Sequence, residues 1–328
     1  MFREVTMRRW SFAVVLCAVV ALAGCGGGNS TPPTRSTFVP PTTGGPFVYV
    51  TDGGFIIAQI PQSQTGPVNP SSTISGPSTS LSGAAGIARD PAGNIYVANG
   101  SVNGVLVFPP ALAGNLTPML QITGASTGLG GPRGVAIDGA GRLIVTNTTA
   151  NSITIFPPGA NGNVAPVVTI AGAATGLSTP AGVAVDAAGN IYVVNTTGAI
   201  TVFAANASGN AAPLRTISGS ATGLNVPSGI ALDVSGNMYV ANANGNSVTE
   251  YAAAAAGNVA PTITIAGSST GLAVPQGLVM GAGGNLFVTN FSVPGVPGLV
   301  TVYAPGATGN VAPLQSITNL IGPIGISL

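Results

Sequence analysis

Short apolar runs rich in Val, Ile, Tyr and Ala, each closed by a cluster of Gly, Asn, Pro, Thr or Asp, recur along the chain from residue 46 to its end. In the stretch beginning at Gly182 the runs are GVAVD, NIYVVN, AITVF and PLRTISG. They are separated by Asp-x-x-Gly-Asn, by an Asn/Thr/Gly cluster and by a Gly-Asn-x-x-Pro stretch; a Thr-Gly-Leu-x-x-Pro stretch leads to the next unit. Such runs, bounded by turn residues, predict strands. Short turns make successive strands antiparallel, so the pattern predicts a four-stranded meander. A single meander leaves two faces unburied and has to stack on neighbours.

Neighbours are present. The segment GIARDPAGNIYVAN from Gly86 returns as GVAIDGAGRLIVTN from Gly134, GVAVDAAGNIYVVN from Gly182, GIALDVSGNMYVAN from Gly229 and GLVMGAGGNLFVTN from Gly277. A headless copy, FVYVTD from Phe47, precedes them. Two further ladders keep the same period of about 48 residues: Ile60, Phe108, Phe156, Phe203, Tyr251, Tyr303, and Pro70, Pro118, Pro166, Pro213, Pro261, Pro313. The six units open on a second strand, and the C-terminal Pro323-Ile324-Gly325-Ile326-Ser327-Leu328 matches the missing first strand. Pairing the two completes the sixth sheet and removes an exposed edge. The expected fold is all-β: a six-bladed β-propeller of four-stranded antiparallel blades, closed by the C-terminal strand completing the first blade. A parallel β-helix has no use for complementary truncations.

The repeat G-[IV]-A-x-D-x-x-G-N-[IM]-Y-V-x-N resembles the NHL-type repeat and the wider gluconolactonase and streptogramin-lyase group of six-bladed propellers, over residues 46–328. The resemblance implies the fold. It implies no single function, because such propellers serve enzymes, binders and scaffolds alike.

Composition narrows the function classes. Of 328 residues 49 are Gly, 27 are Pro and only 5% are charged, while 45% are hydrophobic, enough for a sizeable core. The eight basic residues are all Arg, and three of these, with Glu4, fall in the first nine residues, which leaves the rest of the chain near −1. Without Lys there is no basic patch, so nucleic acid is excluded as a partner. His is absent, the single Trp is Trp10, and the two Cys are Cys17 and Cys25.

Both Cys lie in a leader. Arg8 and Arg9 precede the apolar run SFAVVLCAVVALAG, the length of a signal-peptide core, which ends in Leu22-Ala23-Gly24-Cys25. This looks like a lipobox, and the expectation is a lipoprotein signal peptide over 1–24 with lipid attached at Cys25. Met7 would serve as a translation start as well as Met1. Gly26, where Asp would signal inner-membrane retention, points by analogy to the outer membrane. Residues 26–45, dense in Gly, Pro, Ser and Thr, read as a tether. The address is thus exported and membrane-held through the anchor, at the cell envelope, with a monomer expected.

In a meander, alternate loops share a face. The loop after each second strand carries Asp52, Asn99, Asn147, Asn195, Asn242 and Asn290, and the loop into each first strand carries Arg133, Ala181, Ser228, Gln276, Ile324 and, in the first full copy, Ala85. The Asn residues read either as a ring of amides at the pore mouth or as turn-closing Asx residues. Arg133 and Gln276 are the further polar candidates, and Phe291 opens an insertion, FSVPGVPG, that reaches toward the same mouth. Asp90, Asp138, Asp186 and Asp233 fall on the opposite face as turn residues, one per blade. The Phe and Tyr ladder reads as core.

Catalytic chemistry is sparse. Without His, Lys or a free Cys beyond the leader, the common general base and nucleophiles are missing, and the carboxylates are unpaired. No cofactor is expected; a Ca²⁺ site at Asp52 with neighbouring Asn would rest on one carboxylate and be weak. The reading is a non-catalytic binding or scaffold module taking a glycan, peptide or envelope protein. The alternative that the resemblance implies is a metal-assisted lactone hydrolase or a lyase.

Overall fold

The computed structural model describes residues 47–68, 70–110 and 114–328. The leader, Cys25 and the tether lie outside the described residues. Six antiparallel sheets form a ring. Blade 1 is built from Pro323–Ser327, Phe47–Asp52, Ile56–Pro61 and Ser72–Ile74, and blade 2 from Ala84–Arg89, Ile95–Asn99, Gly104–Phe108 and Leu120–Thr123. Blade 3 follows with Pro132–Ile137, Leu143–Asn147, Ser152–Phe156 and Val168–Ala171, and blade 4 with Pro180–Val185, Ile191–Asn195, Ala199–Phe203 and Arg215–Ser218. Blades 5 and 6 start at Pro227–Leu232 and Pro275–Met280. The β-propeller expected from the repeat is the fold observed, with the innermost strands around a central pore.

The ring closes where the two ends meet. In blade 1 the strand Pro323–Ser327 pairs antiparallel with Phe47–Asp52, Tyr49 opposite Ser327 and Val50 opposite Ile326. Thr51 sews this latch to the next blade, its hydroxyl accepting the Gly325 N–H (2.8 Å) and donating to the Ala85 carbonyl (2.6 Å). A second closure was not legible in the sequence. The outermost strand of each blade makes a parallel bridge to the loop between strands three and four of the next: Ile74 to Gly114, Ile122 to Gly162, Ile170 to Gly209, Ile217 to Gly257 and Ile265 to Gly309. Ile317 completes the series by pairing with Gly66, which adds Gly66–Pro67 to blade 6 as a fifth strand.

The core is divided into six clusters, one between each pair of neighbouring blades, and the seam between blades 6 and 1 is packed like the rest, with Val48, Val50, Phe287, Val300 and Ile326 together. The aromatic ladder lies inside these seams. Phe108, Phe156, Phe203, Tyr251 and Tyr303 are all buried, as the core reading requires. The two tyrosines keep a polar atom satisfied in the core, their hydroxyls donating to the carbonyls of Thr222 and Thr270. Burial holds Tyr303 neutral, pushing its hydroxyl up to about 12.

Two positions break the apolar pattern: half-buried Gln59 opposite Tyr49 in blade 1, and a buried one in blade 5. Opposite Tyr96, Ile144, Tyr192 and Phe287 stand the apolar residues Val107, Ile155, Val202 and Val302, but opposite Tyr239 stands Glu250. Glu250 is 7% exposed, and its Oε2 has no partner. Tyr239 is raised well above its ordinary value, first by burial and then by its hydrogen bond to Glu250. A buried carboxylate with an unsatisfied oxygen costs stability, whereas an apolar replacement of similar shape does not. Replacing both partners, Glu250→Val together with Tyr239→Phe, is therefore expected to stabilise the fold by about 1–3 kcal/mol, read as a higher denaturant midpoint at unchanged slope. An unchanged or lower midpoint would show that the carboxylate is held better than its contacts indicate.

Candidate functional site

Each innermost strand carries a bulge at the residue before its Gly; that residue follows a Pro in every blade but blade 2, where Ala84 takes the Pro position. In blade 3 Asn147 pairs with Pro132 and Val145 with Val135, so Arg133 and Gly134 together face one partner residue. A bulge re-aims a side chain. The six residues at this position, Ala85, Arg133, Ala181, Ser228, Gln276 and Ile324, ring the pore; Ala85, Arg133, Gln276 and Ile324 line the cavity at one mouth, whereas Ala181 is packed in the core. Gly comes next because the strands nearly touch: a Cβ on Gly134 would lie 2.3 Å from the Ala181 carbonyl oxygen, and one on Gly325 would lie 2.3 Å from that of Ala85. The glycine ring thus brings the six pore residues within reach of one another.

Two of them meet across the pore. Blades 3 and 6 are diametrically opposed, and the Arg133 guanidinium Nη2 donates to the Gln276 Oε1 at 3.1 Å. The others do less. Ser228 directs its hydroxyl into backbone carbonyls, at 2.8 Å to Pro275 and 3.0 Å to Gln276. Ala181 is buried, and Ala85 and Ile324 supply apolar wall. Above the Arg133–Gln276 bar opens a cavity of about 370 Å³, lined also by Pro132, Thr148 and Phe291. Phe291 is 38% exposed and packs on Gly322, and it forms part of the cavity wall; Val293, in the same insertion, does not. Pro132 and Thr148 had no signal in the repeat, since a Pro opens the innermost strand of five of the six blades and Thr148 is a half-buried Thr whose hydroxyl bonds the Pro180 carbonyl.

The Asn residues are placed differently from a ring of exposed amides. Asn99, Asn147, Asn195, Asn242 and Asn290 are all buried. Their Oδ1 atoms accept backbone N–H groups seventeen residues upstream, in the loop entering the same blade: Ser82 at 2.6 Å, Gly130 at 3.2 Å, Ser178 at 2.9 Å, Asn225 at 3.1 Å and Ala273 at 3.0 Å. In the last four blades Nδ2 donates to a Thr hydroxyl on the third strand, as from Asn195 to Thr201 at 3.1 Å. These are clasps across a blade. They are neither open ligands nor local Asx turns, and none lines the cavity.

Asp52 holds the corresponding place in blade 1. Its two carboxylate oxygens accept the N–H groups of Ile321 (3.0 Å) and Gly322 (2.6 Å), just before the latch strand. A carboxylate suits this place because it accepts twice and has nothing to donate. It is buried, with both oxygens taken up by backbone. Among the described residues no group of three or more His, Cys, Asp or Glu comes together. On the far face Asp90, Asp186 and Asp233 each bind the backbone N–H and side-chain amide of the Asn four residues on, and Asp138 binds Arg142 through Nε at 2.6 Å. These are turn closures, as the sequence indicates.

Similarity to known proteins follows the fold. No protein-family model matches the chain, and no curated protein matches it. Among solved structures, the chain is similar to a protein of unknown function from Bacteroides caccae, at 12% identity and a TM-score of 0.64, covering 86% of this chain and 98% of that one. It is also similar to a chain of the nidogen/laminin complex, at 16% identity and a TM-score of 0.62 over 86% and 97%, and to the WD40 propeller of Doa1, at 9% and 0.55 over 83% and 85%. The shared fold is the β-propeller. At these identities the propeller architecture is what the likeness shows.

Proposed function

We propose that the chain is a lipid-anchored, non-catalytic binding module of the cell envelope that receives a glycan, peptide or envelope protein at the pore mouth carrying Arg133, Gln276 and Phe291. The observation that carries the reading is the distribution of polar side chains. Asp52 and the Asn clasps are taken up by backbone, the four far-face Asp close turns, and Glu250 is buried between blades. Among the described residues no carboxylate lines the cavity as acid or base, while a cation, an amide and an aromatic ring do. A few convergent polar groups in an apolar concavity suit recognition.

Anchoring at Cys25 and a 26–45 tether would hold this face clear of the lipid surface, the outer membrane being favoured by Gly26. Occurrence of the fold in a nidogen/laminin complex is consistent with a protein partner. The protein is taken to act as a monomer.

The test uses immobilised residues 26–328 to capture material from detergent extracts of the producing cell's envelope and from a glycan array. The double variant Arg133→Gln, Phe291→Ala should lose capture at least ten-fold. Val234→Arg, at a far-face position that is 96% exposed, should retain it. Capture that survives the double variant would remove the mouth as the binding face.

A further inference from the structure

Among the described residues Arg133 is the one charged side chain lining the mouth, and none of them forms an ion pair with it. Burial lowers its pKa, which marks a cation partly stripped of water. Of its five N–H donors, one is directed to Gln276 Oε1. The ion pair found among the described residues is Arg142–Asp138, on the far face. Asp52, at the end of the second strand of blade 1, has both oxygens held by Ile321 and Gly322. The guanidinium therefore faces the cavity with donors to spare. Gln276 holds its plane across the pore, and with Oε1 accepting, its NH₂ group remains to donate. Around this pair the wall is apolar: Ala85, Pro132, Phe291 and Ile324.

Building on the proposed binding face, we propose that the mouth is a carboxylate site for a peptide, with the carboxylate of a chain end or of an Asp or Glu side chain on the Arg133 fork and an adjacent apolar group against Phe291 and Ile324. A single delocalised cation in an apolar surround matches a monoanion. A phosphate near two negative charges would need a second cation, and no Lys exists in the chain and no other Arg lines the cavity. The planar fork matches a carboxylate with two parallel hydrogen bonds, and the amide of Gln276 supplies a third donor. A cavity of about 370 Å³ suits one or two residues of the peptide.

The experiment is calorimetric titration of residues 26–328 with four probes: acetyl-Gly-Phe carrying a free C-terminal carboxylate, the same dipeptide as its amide, acetyl-Asp-Phe amide, and inorganic phosphate. The free acid should bind at least ten-fold more tightly than the amide, a difference that Arg133→Gln abolishes and that shrinks as salt rises. Tighter binding of the Asp peptide than of the free acid would assign the carboxylate to a side chain, and the reverse order to a chain end; either supports the site. Binding of neither the free acid nor the Asp peptide more tightly than the dipeptide amide, tighter binding of phosphate, or no binding of any probe would overturn it. The comparison of acid with amide uses the unaltered chain, so it decides the matter even if Arg133→Gln fails to fold. If envelope capture depends on the mouth while neither the free acid nor the Asp peptide outbinds the dipeptide amide, the binding face stands and the carboxylate site falls.

Discussion

Deleting residues 323–328 is expected to leave a chain that no longer melts as one cooperative unit. The deletion strips Ile326 from the seam between blades 6 and 1 and leaves the strand Phe47–Asp52 paired on one side only, with Ile56–Pro61. It also takes away Gly325, whose N–H the Thr51 hydroxyl accepts. Burial of one large aliphatic side chain contributes about 1.5–3 kcal/mol. Each lost ladder hydrogen bond adds about 0.5–1.5 kcal/mol, so the sum reaches about 5 kcal/mol, comparable with the whole stability of an ordinary domain. The exposed edge is also a template for association. Circular dichroism melting and size-exclusion chromatography should show a broadened transition and aggregates. Melting within a few degrees of the intact chain would mean that the Ile317–Gly66 pairing alone closes the ring.

Gly229→Ala is the second large effect, and its sign is the informative part. In an extended strand with room for a methyl group, Gly→Ala stabilises by about 0.4–1 kcal/mol through the unfolded state. At Gly229 the new Cβ would stand 2.3 Å from the Gln276 carbonyl oxygen and 3.1 Å from the Gly277 Cα, both backbone atoms of the next blade. The innermost strands would have to part. A cost of about 3 kcal/mol is expected, an overpacking penalty that lowers Tm by roughly 6–10 °C. A Tm at or above that of the parent would show that the pore has slack, and with it the close approach that sets Arg133 opposite Gln276 would be lost as an explanation.

The repeat made the architecture legible because propeller geometry is written once per blade: a ladder of core aromatics, a ladder of Pro and the Gly-bearing first strand give the same period independently. The latch was legible because Pro323-Ile324-Gly325-Ile326 copies the strand that blade 1 lacks. The second closure was not, since Gly66-Pro67 carries no strand signal and pairs only through its place in the ring.

At the site the repeat was a poorer guide. Asn99 and its equivalents recur in every complete blade, and recurrence drew attention to them, yet it reflects a clasp that each blade needs for itself. A partner seventeen residues upstream cannot be read from spacing before the blade is built. Arg133 and Gln276 carry the opposite lesson, because they depart from the small and apolar residues at the same register position. The sequence marks them as exceptions, but only the six-fold ring shows that blades 3 and 6 face one another and that these two exceptions touch.

The most direct test of the binding face is photo-crosslinking in intact cells from a single benzoylphenylalanine placed at position 291 on the pore mouth or at position 234 on the far face. The account predicts a discrete adduct from position 291 that disappears with Arg133→Gln, and none from position 234. Adducts of equal yield from both positions, or an adduct from position 234 alone, would contradict it.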